Sequence, residues 1–332
     1  MISFEPSDRP FDDVRDLVHQ QVEKDASSGQ RVKEFLLGIG REGDFGHLGD
    51  SAVWLAEWQK RYPPRLENPT LAMFAGSHGL RSEGVSLSKD SDTLDQVEAL
   101  KSGSAPLSAI CAQAQANLRV FELAIEKPTR NIAKDAAMSE KECVATIAYG
   151  FEALEGEPDL LALGVIGAGI GTAAAAVACA LYGGSPDYWV RPGSGTPSDM
   201  TQKRADLVNE ALSLHRGHIE DPLEALTRLG GREIAACVGA IIAARLQGVP
   251  VILDGFATTI AAGVVHAISP DAIDHVHAAH ATGRPAHQAA LERLDLRPMV
   301  EFEFQTGGGL GAATAIGILR TACAPFIAQP AT

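Results

Sequence analysis

From Leu160 to Ser185 the chain reads LLALGVIGAGIGTAAAAVACALYGGS, without one charged residue. A run of that length either crosses a bilayer, which takes about 20 apolar residues, or is buried inside a protein. Glycines at Gly164, Gly167, Gly169 and Gly171 interrupt it. They divide it into LLALGVIG, a strand-sized piece, and TAAAAVACALYG, a helix-sized piece. The stretch therefore reads as a buried strand, a glycine turn and a buried helix.

The same alternation extends along the chain. TLAMFAGSHG, LRVFELAI, VPVILDGFAT and PMVEFEF read as strands. VATIAYGFEAL, REIAACVGAIIAARLQG and TIAAGVVHAIS read as helices, and a small-residue helix closes the chain. Short apolar strands alternating with helices predict an α/β fold with a parallel sheet. Residues 1–65 are helical and polar, with apolar positions at helical spacing in FDDVRDLVHQQVEKDA and SAVWLAEWQKRY. The histidines of DHVHAAH (His275, His277 and His280) read as a polar helix face rather than a metal site.

Composition narrows the function. Aromatic residues make up only 5% of the 332, while Gly and Ala abound, which suggests close packing of helices on the sheet. A formal charge of −14 repels nucleic-acid phosphates and anionic membranes, so neither is an expected partner. The cysteines, Cys111, Cys143, Cys179, Cys237 and Cys323, are odd in number and lack CxxC spacing. They argue against a zinc site or a disulfide framework and for a reducing cytoplasm. The N-terminus lacks the basic and apolar segments of a signal peptide.

In a parallel sheet, ligands bind at the carboxyl ends of the strands. GSHG, GAGIG, DGF and TGGGLG all fall there. VIGAGIGT is only a partial dinucleotide fingerprint: Gly167 and Gly169 fit, but Thr172 holds the sixth place and Asp187 lies in a turn. A phosphate held on helix N-terminal amides, with the Thr172 hydroxyl nearby, fits better; glycines serving only close packing are the alternative. RPGSGT, containing Gly193, is a second glycine loop, and Lys203 and Arg204 one helix later would supply the cation. Asp254 at a strand end can hold ribose hydroxyls or cap the helix TTIAAGVV.

Taken in order, FGHLGDSAVWLAEW, FAGSHGLRSEGVS, PTRNIAKDAAMS, LGVIGAGIGTAAAA, VRPGSGTPSD, GGREIAACVGAI, VPVILDGFATT, AHATGRPAHQAALERL and TGGGLGAA resemble one family. It is the nicotinate-nucleotide:dimethylbenzimidazole phosphoribosyltransferases of cobalamin lower-ligand synthesis. The similarity runs from about residue 45 to 322. The resemblance implies a Rossmann-like, three-layer α/β fold, with residues 66–317 as the nucleotide-binding domain and a small helical lobe from residues 1–65 and 318–332. It also implies transfer of phosphoribose from nicotinate mononucleotide to a benzimidazole-type nitrogen, without metal or cofactor, by a homodimer. It implies phosphate contacts from Gly167, Gly193 and Arg204, and ribose contacts from Asp254, Gly255 and Thr282. Ser77, Ser86 and Gly308 would lie near the base.

The departures are concentrated at acids. The family's catalytic glutamate, the centre of a Gly-Glu-Gly, is Gly308 here. A second glutamate is Val165, an aspartate is Ser77, an acid in the histidine segment is Arg284, and an asparagine of the phosphate loop is Ile170. Loss of a general base costs a factor of roughly 10²–10⁴. In VEFEF, Glu301 and Glu303 alternate onto one face of the expected strand, and Glu303 is the candidate surrogate base. If its carboxylate points into the cleft, catalysis is expected; if it faces solvent, a non-catalytic nucleotide- or base-binding paralogue, or a partner subunit, is the favoured alternative. A flavin or nicotinamide oxidoreductase is a distant third reading.

Overall fold

The structure, a computed structural model, describes Phe4 and residues 6–41, 43–88, 90–191 and 196–327. Six parallel strands form one sheet in the order β2-β1-β3-β4-β5-β6. They are β1 (Pro69–Ala75), β2 (Asn117–Glu122), β3 (Leu160–Ile166), β4 (Val251–Leu253), β5 (Val276–His280) and β6 (Pro298–Val300). The helices are α1 (Pro10–His19), α2 (Ala26–Ile39), α3 (Gly46–Trp58), α4 (Asp90–Lys101), α5 (Pro106–Gln113), α6 (Glu140–Gly150) and α7 (Ile170–Tyr182). They continue with α8 (Pro186–Trp189), α9 (Ser198–His215), α10 (Pro222–Leu229), α11 (Arg232–Gln247), α12 (Phe256–Ile268), α13 (Pro285–Arg293) and α14 (Leu310–Ile327). The expected α/β, Rossmann-like architecture is present.

Strand periodicity assembles two cores. Ala72, Phe74, Leu161, Leu163 and Leu253 face α6, α7, α11 and α12. Their sequence neighbours Leu71, Met73, Leu160, Ala162 and Ile252 face α3, α5 and α14. Side chains two apart share a face, so an all-apolar strand is buried on both sides. The uncharged run thus resolves into β3, a glycine turn and α7. Close packing over small residues is also realised: a Cβ on Gly239 of α11 would come within 1.8 Å of the Ile147 carbonyl of α6.

The N-terminal helices divide between the faces. α1 joins the first core through Phe11, Val14 and Val18. α2 and α3 pack on α14 through Val32, Ala52, Ala56, Ala322 and Phe326. α14 itself starts against the sheet, with Ala312, Ala313 and Ile316 in the second core, and runs on unbroken to this small cluster.

Two sequence expectations are corrected. The DHVHAAH histidines form no polar helix face; they lie on and beside β5, an interior strand of the sheet. His275 and His280 are fully buried, and His277 stacks on Trp54 with 4.1 Å between ring centroids. The VEFEF strand stops at Val300, and Glu301, Phe302 and Glu303 are exposed loop residues. Glu303 has φ 52°, so Glu301 and Glu303 do not alternate on a strand face.

Burial holds His275 down to about 3, with a bond to the Ile241 carbonyl opposing the shift. It likewise lowers His277 to about 4 and, on α13, His287 to about 3. Each ring is neutral in the fold but takes a proton in the unfolded chain below about pH 6.5. Their contribution is therefore full above that pH and is lost as pH falls toward the folded values. Stability is expected to decline from about pH 6.5, by about 1.4 kcal/mol per pH unit for each ring. Denaturant titrations between pH 7 and 4.5 measure it; a flat profile over that window would contradict the burial of neutral rings.

Candidate active site

The strand order reverses between β1 and β3, where open parallel sheets leave a ligand crevice at the carboxyl ends. β1 runs into Gly76, Ser77 and His78, and β3 into Gly167, Ala168 and Gly169. The two turns touch. A Cβ on Gly167, whose φ is 157°, would lie 2.3 Å from the Gly76 carbonyl, and one on Gly169 would lie 3.3 Å from His78 Cβ. Behind them His78 Nε2 meets Glu233 Oε1 of α11 at 3.0 Å, both side chains fully buried.

Gly169 caps α7 in the left-handed region, at φ 98°. The first helical turn that follows has intrinsically unpaired N–H groups and the positive end of the helix dipole. Thr172 lies on that turn, buried. Asp187 sits exposed on α8, beyond the far end of α7, so the partial fingerprint has no ribose acid beside its turn. Arg204 reaches in from α9: its Nε donates to the Val85 carbonyl at 2.7 Å, fixing the segment that carries Ser86. Lys203 beside it is exposed. Arg284, which immediately precedes α13, lies against the same turn, its Nη1 3.1 Å from where a Gly171 Cβ would stand. Gly193 lies outside the described residues.

Asp254 differs from the sequence expectation. It is fully buried, and its carboxylate accepts from Gly309 N at 2.6 Å and Ala312 N at 2.8 Å. It caps α14 rather than α12, and no surface is left on it for ribose hydroxyls. Gly255 is committed too: a Cβ there would fall 2.6 Å from Gly307 Cα. Thr282 is likewise turned inward. Its N–H donates to His287 Nδ1 at 3.0 Å, so the neutral ring carries its proton on Nε2 and donates to Thr259 Oγ1 at 3.1 Å. Thr259 in turn donates to the Gly255 carbonyl at 2.8 Å. This relay fastens the loop after β5 to the turn after β4. Ser77 donates to the Ile125 carbonyl at 2.7 Å, also inward.

The three glycines before α14 are not equivalent. A Cβ on Gly307 would lie 2.5 Å from the Asp254 carbonyl, and one on Gly309, at φ 89°, would lie 2.7 Å from Leu107 Cδ2. A Cβ on Gly308 would meet only Thr306 Oγ1, at 3.9 Å. The outer two are glycine because the backbone needs them; the middle position has room for a side chain. Preceding them, Gln305 packs on Gly283, 3.3 Å from a Cβ there, so the loop carrying Glu303 borders the loop carrying Thr282 and Arg284. A cavity of about 1020 Å³ lies against α3 and the first residues of β5 and β6, with His47, Asp50 and His277 in its wall.

What sequence reasoning missed are Glu233, His287 and the position of Arg284 on the glycine turn. Asp254→Asn is expected to destabilise the fold by about 1.5–3 kcal/mol, because an amide replaces a buried charged acceptor with a donor facing N–H groups. The urea midpoint reads this directly, and an unchanged midpoint would rule out the capping role.

A family model described as phosphoribosyltransferase matches residues 28–330. A Brucella anthropi protein named nicotinate-nucleotide–dimethylbenzimidazole phosphoribosyltransferase is 40% identical over 314 residues, 94% of this chain and 93% of the relative. One of the same name from Sinorhizobium fredii is 42% identical over 316 residues, 95% of this chain and 93% of that one. The crystal structure of CobT from Thermus thermophilus superposes with a TM-score of 0.83 at 28% identity, covering 91% of this chain and 96% of that chain. With the match spanning both cores, the crevice and the three-glycine loop, the chain belongs to this phosphoribosyltransferase family.

Proposed function

We propose that the chain transfers phosphoribose from nicotinate mononucleotide to a benzimidazole-type azole, as a cytoplasmic homodimer. One observation carries the reading: a helix N-terminus, two arginines and a glycine loop converge at the crevice between β1 and β3. The named activity of relatives 40–42% identical over nearly the full chain supports it. Five buried free thiols fit a reducing compartment.

In this reaction an azole nitrogen forms a bond to C1′ of the ribose as the bond from C1′ to the nicotinate nitrogen breaks. The bonding pair leaves with nicotinate, and the azole then gives up its N–H proton. A carboxylate near C1′ serves both needs, taking the proton and stabilising the positive charge that develops on the sugar. Gly308 offers none. Glu303 is our candidate for the proton acceptor, carried by the loop that borders Gly283 through Gln305.

Glu303→Gln is expected to lower kcat for nicotinate release by about 10²–10⁴ with KM for the nucleotide little changed. Adding Gly308→Glu to that variant should restore the rate, since the position has room for the side chain. Wild-type turnover in the Glu303→Gln variant would remove Glu303 from the mechanism. The alternative reading is a nucleotide-binding paralogue or partner subunit. Saturable nucleotide binding with no nicotinate release from the wild-type chain would select it. For the assembly, sedimentation equilibrium is expected to give twice the 34.9 kDa chain mass; a monomer mass would refute the dimer.

A further inference from the structure

Arg284 is unlike the acid that the family resemblance places at its position. Its Nε is buried without a hydrogen-bond partner, and its Nη1 lies over Gly171 in the first turn of α7. Arg204 is half-buried nearby, held by the Val85 carbonyl and with Nη2 3.6 Å from the Met200 sulfur. Among the described residues, neither guanidinium has a carboxylate within ion-pair distance. Burial pushes both arginines below their ordinary range, and for Arg204 the charge of Arg284 adds to the effect. His287, the ring nearest on α13, is neutral and already committed to Thr282 and Thr259. The acids that could neutralise the arginines are absent from the family's positions: Val165, Ser77 and Gly308 stand there.

Two like charges without a counterion, at the positive end of a helix, leave a site short of about two negative charges. We propose that Arg284 is a second anion-binding residue of the crevice. Together with Arg204 and the amides of α7 it takes a phosphate monoester in its dianionic form, and it selects phosphorylated donors over the corresponding nucleosides. The inference rests on reading the crevice as a nucleotide site, and assigns to this chain a contact that an acid at position 284 could not make. A planar guanidinium offers a paired donor edge that matches two phosphate oxygens.

The test uses the full chain and ribose 5-phosphate as the probe, with ribose as the uncharged control. Calorimetric titration is expected to show binding of ribose 5-phosphate that weakens about 10- to 100-fold in Arg284→Gln and further in Arg284→Glu. Arg284→Lys should retain part of the affinity, which separates charge from folding, and melting curves check that each variant is folded. KM for nicotinate mononucleotide should rise by a similar factor with kcat changed much less. Equal affinity of wild type and Arg284→Gln for ribose 5-phosphate would overturn the proposal, as would wild-type affinity no better for ribose 5-phosphate than for ribose. Arg284-dependent binding of ribose 5-phosphate in a protein that never releases nicotinate would uphold the anion site and refute the transferase reading instead.

Discussion

The Asp254 carboxylate is the point on which the site depends. It stands at the end of β4, fully buried, and takes the N–H groups of Gly309 and Ala312. Those are orphan donors at the start of a helix, where a negative charge is most favourable. The bonds span a long sequence separation and fix where α14 begins. Once that point is set, Gly307 must pass within contact of Gly255, and Gly309 must pack on Leu107 and Met73. The glycine loop is thus a consequence of a capped helix. Its shape does not require a ligand.

The buried carboxylates at this end of the sheet share that logic. Glu233 is paired with His78 beneath the turn after β1, and Asp254 is spent on α14. Asp254 holds backbone, Glu233 holds a side chain of the turn, and both are fully buried. What faces the crevice is positive: two arginines and the dipole of α7. A site of this sign binds anionic ground states well. It does less for the positive charge that builds on a ribose as its base leaves. Binding and chemistry therefore make opposite demands here, and the only carboxylates on the adjoining loop, Glu301 and Glu303, are exposed.

The fold was legible because its signals are local. The all-apolar β3, the glycine break and α7 can be read from consecutive residues, and so can the alternation that gives a parallel sheet. Two segments misled for a physical reason. DHVHAAH carries polar residues at a spacing that suits a helix, yet partners on other elements bury it: Ile241 bonds His275, and Trp54 covers His277. VEFEF alternates like a strand, but the sheet ends at Val300 and the remaining residues bend away through a left-handed Glu303. At the site, the glycine turns and Arg204 were visible as motifs. The surroundings of Asp254 and Arg284 were not, since each is set by a neighbour far away in sequence, an amide of α14 and the first turn of α7; those of Thr282 depend on the start of α13 turning His287 back onto it.

The three glycines at 307–309 show how such a scaffold can change its chemistry without changing its shape. Two are demanded by contacts with Asp254, Gly255 and Leu107, and would be kept by any sequence that folds this way. The middle one bears no such demand, and in the family resemblance it is the residue that carries the base. A side chain in open space contributes reactivity but little packing, so its loss leaves the cap, the loop and both cores intact. The fold therefore records the family faithfully even where such a side chain is absent. The same separation explains the high structural similarity to a relative of only 28% identity: buried contacts constrain the backbone, while more open positions such as 284 and 308 can change sign or size with little effect on it.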